Sequence, residues 1–146
     1  PMSARRQRQM CIRDRMELVT RQTDAALAQA TVPLTLPAEV AELLVTTFHE
    51  LREGVTAEGE RIERPTTPMS TAEAVSVATS AGLHAHYYGE SAISPDHLAR
   101  HLVGTALKDD PDDLARLQGY FSRVVRRRAQ DSALWSVWYE ARRWLS

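Results

Sequence analysis

"SPDHLARHLVGTALKDDPDDLARLQGYFSRVVRRR", residues 94–128, contains two consecutive helix starts. Ser94 stands as an N-cap, with Pro95 at the first helical position and Asp96 behind it. A fixed φ and a carboxylate both favour a helix N-terminus there. The helix is expected to run over residues 94–107, with Lys108 in its last turn. The same logic repeats at Pro111, after which Leu114, Leu117, Phe121, Val124 and Val125 recur at the three-and-four spacing of a buried stripe.

Working outward, the helical pattern continues in both directions. "STAEAVSVATSAGLHAHYYG", residues 70–89, opens on a capping box, Ser70 with Glu73, and closes on Gly89. Ala74, Val75, Ala78, Ala81, Gly82 and Ala85 share one face, whose small side chains let another helix come close. Pro37 and Glu39 mark an earlier start, followed by the stripe Val40, Leu43, Leu44, Thr47, Phe48 and Leu51 and a stop at Gly54. "MELVTRQTDAALAQA", residues 16–30, reads as a helix that ends before "TVPLTLP". A last helix from about Ser132 is expected to bury Leu134, Val137, Trp138, Ala141 and Leu145. Between residues 55 and 62 the polar connection suits a short β-hairpin carrying Val55 and Ile62. The class is all-α, a bundle of about six helices.

The N-terminus reads differently. "RRQRQMCIRDR", residues 5–15, places five arginines and the sole cysteine, Cys11, in eleven residues. Back-translation of these residues gives the DNA of a transposase sequencing adapter read in one frame. Residues 1–15 are therefore expected to be a non-native, disordered segment, and are set apart from fold reasoning. With them goes the argument for a nucleic-acid-binding arm. Without Arg5, Arg6, Arg8, Arg13, Arg15 and Asp14, the formal net charge moves from −1 to −5, that of a mildly acidic body.

Composition narrows the remaining classes. At 43% apolar and 25% charged residues the chain is an ordinary globular one, with no apolar run of bilayer length. The expectation is a cytoplasmic protein without membrane or nucleic-acid partners. One cysteine permits neither an internal disulfide nor a cysteine-based zinc site within the chain.

Candidate chemistry is sparse. His97 and His101 stand four apart, a spacing that can chelate a metal, with His84 and His86 upstream. There is no HExxH, and histidines at ligand spacing are more often exposed or hydrogen-bonded side chains, so no metal ligand is assigned. Four aspartates at one end of residues 108–128 and Arg126, Arg127 and Arg128 at the other suit the helix dipole better than a cation or nucleic-acid site. Trp138 is assigned to the core, while Trp135 and Tyr139 are candidates for a partner surface. No GxSxG nucleophile elbow is present. The sole lysine, Lys108, follows Leu107, so there is no GK[ST] phosphate loop (Walker A), and no Asp-Glu pair ends a strand (Walker B). No catalytic, cofactor-binding or metal residue is assigned in this chain.

From Met16 onward the sequence resembles the C-terminal part of MoxR-type AAA+ ATPases. The resemblance is carried by "ELVTRQTDA" (17–25), "FHELREGVTAEGERIERPTTPMSTAEAVSVATSAGLHA" (48–85) and "SPDHLARHLVGTALKDDPDDLARLQGYF" (94–121). It implies a helical lid over residues 16–108 and a C-terminal helical extension over 109–146. In such ATPases the lid covers the adenine and ribose of ATP, moves with nucleotide state and couples neighbouring subunits of a ring. The resemblance further implies a full-length parent with an N-terminal ATPase core that hydrolyses ATP with magnesium. It also implies a chaperone-like role and partners bearing von Willebrand A domains. The family commonly sets an arginine sensor in the first turn of the third lid helix. Here Met69 or Ala72 occupies that place, with Arg64 nearby. The other reading is a stand-alone helical interaction module docking through its last helix. A lid without its base is expected to expose an apolar face and to be marginally stable.

Overall fold

The computed structural model describes residues 2–107 and 110–146, with side chains from Ile12 onward. It contains α1 (Met2–Gln29), α2 (Ala38–Glu53), α3 (Thr71–Tyr87), α4 (Pro95–His101), α5 (Pro111–Tyr120), α6 (Arg126–Ala129) and α7 (Ala133–Glu140). A π-helical turn, Phe121–Val125, fuses α5 and α6 into one rod, so the expected six-helix, all-α architecture is the one observed.

α2 is buried almost all round, which makes it the central helix. Its full expected stripe, Val40, Leu43, Leu44, Thr47, Phe48 and Leu51, lies inside. Gly54 ends it at φ +73°, its N–H donating to the Glu50 carbonyl at 2.8 Å. The positive φ favours glycine there, and a Cβ at Gly54 would also press, at 2.9 Å, on Nε of the Arg64 side chain.

α1 and α3 pack side by side along the small-residue face. A Cβ added at Gly82 would lie 2.7 Å from a Leu27 methyl, which is the close approach the sequence anticipates. Val77 rather than Val75 completes that face. The Ser70 hydroxyl accepts from the Glu73 N–H at 3.2 Å, but the reciprocal half of the box is missing, because the Ser70 N–H goes to the Pro68 carbonyl at 2.9 Å. α3 closes at Gly89, φ +73°, with the Glu90 N–H reaching back to the Ala85 carbonyl.

Several expectations need correction. The helix from Ser94 does not reach Leu107: it stops at His101, since Val103 is extended (ψ 129°) and Gly104 takes φ +94°. Lys108 lies outside the described residues. The hairpin over 55–62 is a tight turn with one bridge, Val55 to Arg61, too short to be a strand. Residues 2–15, expected to be disordered, continue α1 without a break, and Arg15 meets Nδ1 of His49 at 3.1 Å. Val137 is 49% exposed rather than buried, because Trp138 and Ala141 carry the inner face of the last helix.

The expected bare apolar face narrows, among the described residues, to a few side chains. Leu83, Tyr87, Tyr88 and Val137 are the large hydrophobic side chains left open there. α1 covers α3, and α5–α7 close over α2 and α4, so one hydrophobic core runs through both halves of the chain.

Candidate functional site

The first candidate is the N-terminal end of α3, where the resemblance places a sensor. Met69 is 2% exposed and part of the core. A shallow pit beside it is lined by Val19, Phe48, His49 and Arg52. Ala72 faces solvent, and a methyl group offers no donor. Arg64 is exposed, with its side chain lying over Gly54. Neither the Met69 nor the Ala72 side chain can donate to a phosphate, so the sensor place itself does not fit a nucleotide.

The second candidate is the histidine group. The structure gathers His84, His97 and His101 and leaves His86 exposed on another face. The His84 ring lies 5.7 Å from that of His97 and 5.3 Å from that of His101, centre to centre. Arg100 approaches Nε2 of His84 at 3.0 Å, and Nδ1 of His84 meets Nε2 of His101 at 3.4 Å. The Ser94 N–H donates to Nδ1 of His97 at 2.9 Å, so His97 takes the place a glutamate or glutamine fills in a capping box. Burial, then the charge of His84, pushes the titration of both His97 and His101 below the ordinary range. Among the described residues no three His, Cys, Asp or Glu side chains are placed to hold a metal ion.

The acid and base ends of the α5–α6 rod turn out to be clamps, and this is what sequence reasoning missed. Asp113 is fully buried and accepts from the backbone N–H groups of Thr66 (2.7 Å) and Thr67 (2.9 Å), both threonine hydroxyls, and Arg116 (2.8 Å). Burial alone would raise its carboxyl, but the donors on Thr67 and Thr66 outweigh that and hold it far below the usual carboxylate range. At the other end, Arg127 pairs with Glu60 and Glu58, and Arg128 with Glu50 and Glu58. The Tyr120 hydroxyl donates to Glu50 at 2.5 Å, and burial followed by the Glu50 charge drives that phenol well above its ordinary range. Arg127 and Arg128 therefore serve the 50–60 turn more than the helix dipole.

Asp113, Leu117, Tyr120, Phe121, Val124, Val125 and Arg128 form one continuous inward stripe. The signal was present in the sequence: the charged positions keep the spacing of the apolar ones. Trp138 is fully buried, its indole N–H donating to the Thr47 hydroxyl at 3.1 Å. Trp135 and Tyr139, expected at a partner surface, are half-buried beneath stacked guanidinium groups from Arg128 and Arg142.

The chain is thus a helical bundle whose buried Asp113, Glu50 and Arg128 are engaged in clamps between distant segments. Residues 13–146 match the family described as "YehL-like AAA+ ATPase C-terminal domain", and the chain belongs to that family. It is 38% identical over 130 residues to the uncharacterized protein YehL of Escherichia coli (strain K12), covering 87% of this chain and 34% of YehL. The chain thus spans about a third of the length of that relative. No solved structure matches it. No helix among the described residues is long and apolar enough to cross a membrane.

Proposed function

We propose that this chain is the non-catalytic lid and C-terminal extension of a MoxR-like AAA+ ATPase. The parent binds and hydrolyses ATP with magnesium in a separate N-terminal core. It works in the cytoplasm as a homo-oligomeric, chaperone-like ring with partners bearing von Willebrand A domains. The observation that carries the reading is the family match over nearly the whole chain, joined to a sequence without a phosphate loop. On this reading the chain's own residues supply a cover of fixed shape. Asp113 and Arg128 lock the 50–67 segment to the last helices, so the piece responds as one body when the core beneath it changes state.

The purified chain is expected to show no magnesium-dependent ATP turnover, and turnover at a measurable rate would overturn the proposal. The genomic sequence upstream of Met16 supplies a second test. An open frame encoding GxxxxGK[ST] supports an ATPase parent. A stop codon and ribosome-binding site there would favour the stand-alone interaction module, a reading that the closed core also suits.

A further inference from the structure

We propose that His84, His97 and His101 form a pH-operated joint between α3 and α4, closed while all three rings are neutral and loosened when they take up protons. The argument begins with what each ring nitrogen must do. A guanidinium has no acceptor, so Nε2 of His84 meets Arg100 with its lone pair. The proton of neutral His84 then sits on Nδ1 and points at Nε2 of His101, which must present a lone pair in turn. His97 is fixed independently, because its Nδ1 accepts from the backbone N–H of Ser94. Each ring has one nitrogen whose lone pair is taken by a donor: Arg100 for His84, His84 for His101 and the Ser94 N–H for His97. Protonating any of them puts hydrogen against hydrogen.

The surrounding charges set the direction. On α3, His84 also stacks against Tyr88, while His86 is exposed on another face. Glu90 and Asp96 favour a charged His97, whereas His84 and Arg100 oppose it. Around His101 the neighbours that act are His84, Arg100 and His97, all of which oppose its charge. From the C-terminal turn, Arg143 draws Asp96 away at 2.8 Å, and Trp144 carries the Arg100 guanidinium at 3.8 Å from its ring centre. Arg100 therefore links the histidines to the last turn of the chain.

The sign follows from these bonds. Above the ordinary imidazole value of about 6.5, folded and unfolded chains are both neutral at His97 and His101 and the joint is at full strength. As pH falls below that value the unfolded or opened form takes up protons that the closed form resists, so closure weakens. Below the folded midpoints of His97 and His101, their charged rings crowd His84 and Arg100 and repel.

Imidazole proton resonances and amide exchange followed from pH 8 to pH 5 on the whole chain test this. The midpoints of His97 and His101 are expected below the ordinary imidazole value of about 6.5, with amide protection lost over residues 94–101 while α2 keeps its own. His97 and His101 titrating at or above the ordinary imidazole value, or α2 and α4 losing protection at the same pH, would overturn the joint. The variant H84Q/H101Q is expected to lose this pH dependence while staying folded. If it does not fold, the titration of the unaltered chain decides alone. A chelator is expected to change nothing, and Zn²⁺ selectively broadening the three rings at neutral pH would overturn the joint in favour of a metal site.

Discussion

Arg128 holds Glu50 through both of its terminal nitrogens, at 2.8 and 2.6 Å, across 78 residues of sequence. Glu50 is 2% exposed and also accepts from the Tyr120 hydroxyl and the Ala57 N–H, so removing it leaves those donors unpaired while Arg128 keeps Glu58. E50L is expected to cost about 3 kcal/mol of stability. The double variant E50L/R128M is expected to cost less than the two single losses added, because R128M alone leaves the buried Glu50 charge without its cation and the double variant does not. Urea unfolding of the two single variants and the double, read as a cycle, checks both outcomes. Equal losses that simply add would sink the account.

Asp113 does for Thr66 and Thr67 what a helix cap does for its first turn. D113A orphans two backbone N–H groups and the Arg116 contact, with an expected cost of about 3 kcal/mol. Because the folded carboxyl titrates far below its unfolded value of about 4, its contribution is complete above that pH and drains away as pH falls through the folded midpoint. D113N is expected to flatten the acid side of the stability profile below about pH 4. An unchanged acid limb in thermal melts would count against it.

Thr31 adopts φ +61° at the end of α1, a left-handed conformation unusual for a branched side chain. The Val32 N–H reaches back to the Leu27 carbonyl at 2.8 Å, the bond that glycine normally closes. T31G is expected to raise stability by about 1 kcal/mol through relief of the Cβ clash. A melting temperature equal to or below that of the parent chain would contradict this.

Gly82 marks the tightest approach of α1 to α3. G82V drives two methyl groups into Leu27 and Ile93, both fully packed, and is expected to cost about 2–3 kcal/mol. A compensating L27A, which empties the space, is expected to restore part of it. Chemical denaturation of the pair checks the rescue.

The fold was legible wherever apolar spacing and cap residues speak together. The stripe of α2, the stop at Gly54, the small face of α3 and the start at Ser94 all stand where the sequence puts them. Helix ends without such signals were not legible. Leu102–Leu107 keeps an apolar pattern, yet Gly104 turns the chain away. The clamps were hidden for another reason. Glu50, Asp113 and Arg128 are charged, and a charge read alone suggests solvent, although each sits at the register of a buried stripe. Only partners distant in sequence decide the matter. The histidines were visible as a spacing on one helix, but His84 arrives from another, so their meeting is a tertiary fact.

The π turn at Phe121–Val125 has a lasting effect on how this chain can vary. One extra residue is folded into the rod there, and it shifts the phase of everything after it. Deleting a single residue from that turn would swing Arg128 roughly a quarter-turn around the axis, away from Glu50. The insertion is thus a gear tooth: descendants of this sequence can exchange side chains on either side of it, but they cannot lose it and still mesh.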